Sequence, residues 1–178
     1  MDTIEALKLR KSIRSYLPGQ VEKQKLDILI EAGKSAPKAG QLHVSVIENS
    51  EILKYMNDLS LKIMKEQGNE FLQKRAALPG YEPFYGAPCL ILLAAQADFL
   101  GMATASCAAM NIIVAATSLG LGSCYVISPT LALNSDAKLS ERLGIPNGLT
   151  GLCGVLVGYA DKNRFETDSA PVGVTYIK

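Results

Sequence analysis

A chain of 178 residues that is 48% hydrophobic is long enough to bury one core and short for two, so a single domain over residues 1–178 is expected. Its 18 Lys and Arg against 17 Asp and Glu leave a formal charge of +1, which excludes the broad basic field behind non-specific nucleic-acid binding. Aromatic residues make up 6% with no Trp, so a base-stacking surface is unsupported as well.

Helical periodicity appears first over residues 2–10. The opening Met1-Asp2-Thr3-Ile4-Glu5 carries acids where a secretory signal has lysines, which reads as a cytoplasmic chain. Arg10-Lys11-Ser12-Ile13-Arg14 follows. In an extended segment Arg10, Ser12 and Arg14 share a side, and in a helix Arg10 and Arg14 share a face. Either backbone converges two guanidinium forks, and the extended one adds a hydroxyl, a donor set suited to phosphate. Taken alone, such a basic run reads first as solvated surface.

Pro18-Gly19 forms a turn before a second helix over 22–35, with Leu26, Leu29, Ile30 and Gly33 on one face and Pro37 ending it. His43 to Ile47 alternates as a strand. Residues 51–78 are charged and helical in pattern, broken near Gly68-Asn69 and ended by the Pro79 to Pro83 turn. Cys89 to Ala94 is continuously apolar, the pattern of a central strand buried on both faces. The helix over 102–119 lies in a stretch with no charge between Asp98 and Asp136. Its Thr104, Ser106, Asn111, Thr117 and Ser118, without flanking Lys or Arg, set it apart from a membrane span and leave a core helix. Gly120 is a natural left-handed cap.

Ser123 to Ile127 is a second buried strand, Asn134 caps a helix running to Leu143, and Cys153 to Tyr159 is a third buried strand. A polar tail from Asp161 to Asp168 precedes Val172 to Ile177, a short terminal strand. Such a strand buries itself only on a sheet edge of its own subunit or another's, which raises dimerisation by strand exchange.

Most catalytic classes find no support. Gly120-Leu121-Gly122-Ser123 lacks the third glycine and follows a helix, whereas a dinucleotide fingerprint needs strand, glycine turn and helix. His43 is the only histidine, so hydrolytic triads and His-based metal sites are excluded as a class. No phosphate-cradling Gly-x-x-x-x-Gly-Lys-Ser/Thr loop is present, since Gly33-Lys34-Ser35 has Ile28 where the first glycine is required. Cys89, Cys107, Cys124 and Cys153 form no Cys-x-x-Cys pair, and three of them lie in strongly apolar surroundings typical of reduced, packed thiols. An enzyme looks this way when a cofactor performs the chemistry. Flavin mononucleotide (FMN), with one phosphate and a flat ring needing apolar walls, suits the clamp and the interior.

The order of these segments resembles the nitroreductase family of FMN-dependent oxidoreductases. Arg10-Lys11-Ser12-Ile13-Arg14 is similar to that family's opening Arg-Arg-Ser-Ile-Arg motif. Ala36-Pro37-Lys38-Ala39-Gly40-Gln41 resembles its Ala-Pro-Ser-Ala-Gly-Asn segment, and Gly86-Ala87-Pro88 its entry into a central strand. The run from Ala108 through Asn111 to Leu119-Gly120-Leu121-Gly122 resembles its core helix and following turn, and Gly158-Tyr159 the close of its last core strand.

The resemblance implies an α+β chain folded as an α/β/α sandwich, with a mixed, mostly antiparallel sheet and a long buried core helix. It implies a homodimer holding FMN at the interface, with NADH or NADPH as hydride donor and a small nitroaromatic or quinone-like acceptor. Cofactor contacts then fall to Arg10, Lys11, Ser12 and Arg14, to Lys38 and Gln41, to backbone N–H groups of Val126, Ile127 and Ser128, and to Lys162 and Arg164. No metal, membrane or nucleic acid is implied, and no side chain is required as general acid or base. Residues 67–85 become the helical excursion over the active site. The chain departs from the family at Lys38, where Ser is usual, at Gln41, where Asn is usual, and at His43-Val44-Ser45, where Gln-Pro-Trp is common. Alternatives on the same resemblance are a flavin-dependent dehalogenase, a flavin-fragmenting relative and a non-catalytic flavin-binding module.

Overall fold

In the computed structural model, which describes residues 1–67, 69–161 and 171–178, the elements in chain order are α1 (Thr3–Leu9), α2 (Lys23–Lys34), β1 (His43–Ile47), α3 (Ser50–Glu66), α4 (Glu70–Ala76), β2 (Cys89–Ala95), α5 (Phe99–Ser118), β3 (Gly122–Val126), α6 (Pro129–Ser135), α7 (Ala137–Arg142) and β4 (Thr150–Gly158). The expected phosphate contacts Lys162 and Arg164 lie outside the described residues.

The four strands form one sheet in the order β1-β2-β4-β3, antiparallel at every ladder. Among the described residues, parallel pairing is confined to an isolated bridge between Ser12 and Ser123. As the continuous apolar run requires, every residue of β2 is buried. Its side chains alternate between two cores. Ile91 and Leu93 face a layer that includes Leu26, Leu29, Ala108 and Ile112. Leu90 and Leu92 face Met56, Leu133 and Leu139. Burying each such side chain contributes roughly 1.5–3 kcal/mol, which makes the two faces comparable anchors for the helical layers.

α5 starts three residues earlier than its periodicity predicts because the Asp98 carboxylate accepts from the Gly101 N–H at 2.7 Å. It is long and apolar enough to cross a membrane, yet 44% of its most apolar stretch is packed inside the subunit. Gly120, at φ +74°, follows it as expected. The single helix expected from Asn134 to Leu143 is a correction. Pro129 starts α6 at its first turn, Asn134 lies inside that helix, and Asp136 rather than Asn134 caps α7 by accepting from Lys138 N–H. A proline at the first helical position and a second carboxylate cap outcompete one long helix.

Residues 171–178 form no strand within the subunit, and Val172, Val174, Tyr176 and Ile177 are exposed. Tyr16 and Gly158 settle how the N-terminal segment is held. The Tyr16 hydroxyl donates to Ile13 O at 3.0 Å, and the ring lies so close to Gly158 that a Cβ there would come within 2.9 Å of it.

Candidate functional site

The basic stretch begins where α1 ends. Asp2 caps the helix by accepting from the Glu5 N–H, and the Arg10 N–H closes it on Ala6 O. Beyond that point the chain is extended. Ile13 N–H donates to Ser123 O at 2.8 Å, and Leu17 N–H donates to Tyr159 O at 2.8 Å, so residues 12–17 run along the outer edge of β3 and past the end of β4. Extended backbone sends alternate side chains to opposite sides. Lys11 and Ile13 accordingly line a small cavity with Leu9, Thr117 and Gly122, while Arg14 lines a cavity of about 360 Å³ with the end of β3.

Arg14 lines the larger cavity together with Cys124, whose thiol registers the charge of the basic run. Burial pushes the Cys124 thiol above its ordinary value, and Arg14, a hydrogen bond from Ser12, Arg75 and Arg10 act in turn to pull it back. The thiol beside β3 thus lies in a positive field to which Arg14 contributes most. The larger cavity is walled by Met64, Phe71, Leu72 and Leu131, and closed at its base by residues 124–128. Val126 is buried and Ile127 exposed, as expected where a strand leaves its sheet. Ser128 is anchored from both sides, its carbonyl accepting from Ser60 Oγ at 2.9 Å and its hydroxyl donating to Pro83 O at 3.4 Å.

Lys38 and Gln41 stand elsewhere. Both are exposed and line a different cavity with Lys34, His43 and Pro146. Lys38 Nζ donates to Lys34 O at 2.8 Å. Their loop is pinned to α5, since Ala39 N–H donates to Thr104 Oγ1 at 3.0 Å and Thr104 donates back to Ala39 O. Within one subunit, then, the 38–41 loop and the Arg10–Arg14 clamp do not share a cavity.

The structure adds residues that the sequence did not single out. Arg75 on α4 donates from Nε to the Tyr81 hydroxyl at 3.1 Å and from a terminal nitrogen to the Tyr85 hydroxyl at 2.7 Å. Its guanidinium also lies over the Tyr81 ring, 5.3 Å from the centroid, and the two phenol rings meet edge to face. Burial lowers the Arg75 pKa, but the two phenol bonds outweigh it and hold the group above its ordinary value. Tyr85 sits at φ +52°, unusual for a bulky side chain. The available signal was an arginine followed by tyrosines at spacings of six and ten, with Pro79-Gly80 between them interrupting any single helical or strand period. Two of the buried thiols are held unreactive: burial pushes Cys89 up to about 12 and Cys153 up to about 11, while Cys107 is exposed.

The sequence profile of the nitroreductase family matches residues 7–159. A crystal structure of a nitroreductase with bound FMN from Desulfitobacterium hafniense superposes at a TM-score of 0.90, with 26% identity and full coverage of both chains. A nitroreductase structure from Bacteroides fragilis gives 0.86 at 23% identity, again over both whole chains, and supports the fold alone. In sequence, the chain is 27% identical over 168 residues to an NADPH-flavin oxidoreductase of Vibrio harveyi, covering 91% of this chain and 67% of that one.

Proposed function

The chain belongs to the nitroreductase family, and from that premise we propose that it is a homodimeric FMN-dependent oxidoreductase using NADH or NADPH to reduce a small aromatic or quinone-like acceptor. The observation that carries this reading is the extended run of residues 12–17 along β3, which brings Arg14 into an apolar-walled cavity at the end of that strand. The donor set fits the cofactor: two guanidinium forks and a hydroxyl suit a phosphate dianion, and among the described residues no carboxylate lines the 360 Å³ cavity to oppose it. When bound, FMN supplies hydride acceptance from the nicotinamide and electron delivery to the acceptor.

The protein's own part is to hold, orient and shield. Arg10 and Arg14 hold the phosphate and sugar chain, with Ser12 donating. The backbone N–H groups of Val126, Ile127 and Ser128 orient the ring edge from the rigid end of β3. No side chain is assigned a proton-transfer role. Lys11, on the opposite side of the extended segment, contributes long-range charge only. Lys38 and Gln41 reach the ring from the second subunit, which explains why one subunit keeps them apart from the clamp. Lys162 and Arg164 complete the phosphate site in this reading.

Dimerisation is supported by unpartnered apolar surface on α1 and α5. Ile4, Leu7, Phe99, Leu100, Met102 and Met110 are all exposed in the single subunit. Val172, Val174 and Tyr176 alternate along residues 171–178, as a strand added to another subunit would. Free, mostly buried thiols accord with a cytoplasmic setting.

The test is direct. Purified protein is expected to be yellow, dimeric by light scattering, to release FMN on denaturation, and to oxidise a nicotinamide nucleotide when given a nitroaromatic or quinone. A colourless protein that refuses added FMN overturns the proposal.

A further inference from the structure

The Arg75 cluster is not needed for the phosphate clamp, yet it is built with more care than a surface ion pair. Its guanidinium spends two of its five N–H donors on phenol oxygens. Among the described residues no carboxylate pairs with it. Burial pushes Tyr81 up to about 12, with neighbouring Tyr85 adding to the effect, so this phenol stays neutral and the cluster keeps its positive charge. Each phenol oxygen accepts from Arg75 and still carries its own proton, which must point away from the guanidinium. The two phenols also hydrogen-bond each other, so the donors the trio offers a ligand are the remaining N–H groups of Arg75, with no carboxylate of its own to receive them.

The trio also stands between two cavities. Arg75, Tyr81 and Tyr85 line both the 360 Å³ cavity at the end of β3 and a second of about 540 Å³ that extends toward Gly80. Phe71, one helical turn before Arg75 on α4, is 66% exposed and lies on the same face of that helix. An aromatic side chain standing open beside a positive charge, with the backbone of Tyr85 held in a disfavoured conformation, marks a recognition site rather than a packing accident. The volumes fall in the range of small-ligand pockets.

We propose that Arg75, braced by Tyr81 and Tyr85, binds the carboxylate of a flat aromatic acid whose ring rests against Phe71, making anionic aromatic compounds the preferred acceptors of this protein. A planar carboxylate matches the guanidinium fork in two-point fashion, and a flat ring matches the apolar walls. The inference deepens the flavin-oxidoreductase reading above and rests on it for the word acceptor; the binding site itself does not.

Two measurements decide it. Calorimetric titration of the purified holoprotein is expected to show benzoate binding at least tenfold more tightly than benzyl alcohol, and Arg75→Gln is expected to abolish that preference. Equal affinities for the two ligands in the unaltered protein overturn the proposal, whatever the variants do. In turnover, the ratio of kcat/KM for 4-nitrobenzoate to that for 4-nitrobenzyl alcohol is expected to fall at least tenfold in Arg75→Gln and several-fold in Tyr85→Phe, with the difference expressed mainly in KM. Visible absorbance reports FMN content in each sample. An Arg75→Gln protein that loses its FMN shows that the guanidinium serves the flavin, which overturns the acceptor assignment. A wild-type protein without FMN that still prefers benzoate defeats the flavin reading while leaving the anion site standing.

Discussion

Removing the Arg14 charge should weaken FMN binding far more than removing Lys11, although both belong to the same five-residue run. Arg14 is partly buried and lines both cavities beside β3, whereas Lys11 is exposed and faces the small cavity behind Ile13. A hydrogen bond to a charged group contributes about 1.5–3 kcal/mol, which converts to roughly a ten- to 150-fold loss of affinity for Arg14→Ala. Arg10 projects to the same side four residues earlier and falls in the same range. Because the two share one phosphate, the double variant should lose less than the sum. Lys11 is exposed on the other side of the segment, where charge interactions are worth less than about 1 kcal/mol, so Lys11→Ala should cost FMN affinity a few-fold at most and less in salt. Titrating apoprotein into FMN and following the change in flavin fluorescence measures all four constants. A Lys11→Ala variant as impaired as Arg14→Ala, or a double variant with unchanged affinity, refutes the alternating clamp.

Three further outcomes are expected. A Cβ at Gly33 would lie 2.9 Å from Ile112 Cδ1, so Gly33→Ala should cost about 1–3 kcal/mol of overpacking, offset by about 1 kcal/mol of helix propensity. In an Ile112→Ala background the same change should instead stabilise. Urea denaturation at fixed protein concentration reads both, and an identical effect in the two backgrounds rejects close α2–α5 packing as its origin. Buried Cys89 and Cys153 have folded pKa values raised to about 12 and about 11, against 9.0 unfolded. Their contribution is therefore complete below pH 9 and lost as pH rises toward 11–12, each thiol adding up to about 1.4 kcal/mol per pH unit to the decline. Cys153→Ala should flatten that slope, and an unaltered slope contradicts the assignment. Deleting residues 171–178, which expose Val172, Val174, Tyr176 and Ile177, should raise the dimer dissociation constant at least about tenfold, given the value of each buried apolar side chain. Sedimentation equilibrium checks this, and an unchanged constant removes strand exchange.

The parts of the fold written in single-period language were legible. β2 and β4 announce themselves because burial on both faces leaves no polar alternation, and β1 because it alternates. The break between α6 and α7 was not legible, since Asn134 and Asp136 are both competent caps and only the Pro129 start decides between them. The clamp residues were readable from alternation once the backbone proved extended. Their separation from Lys38 and Gln41 was not, because it depends on how the 37–41 loop is tied to Thr104, 65 residues away. The Arg75 cluster is invisible in sequence for a related reason. Its contacts close across a turn containing Gly80 and Tyr85, both at positive φ, and no periodic pattern reports such a closure.

The way residues 12–17 are fastened carries a consequence for biosynthesis. Their partners are Ser123, Leu156, Tyr159 and Asp161, which leave the ribosome long after the basic segment does. The first residues made are thus among the last to find their places. A nascent or prematurely terminated chain lacks the edge on which its arginines are aligned, so acquisition of the prosthetic group becomes a check that translation reached the final strand.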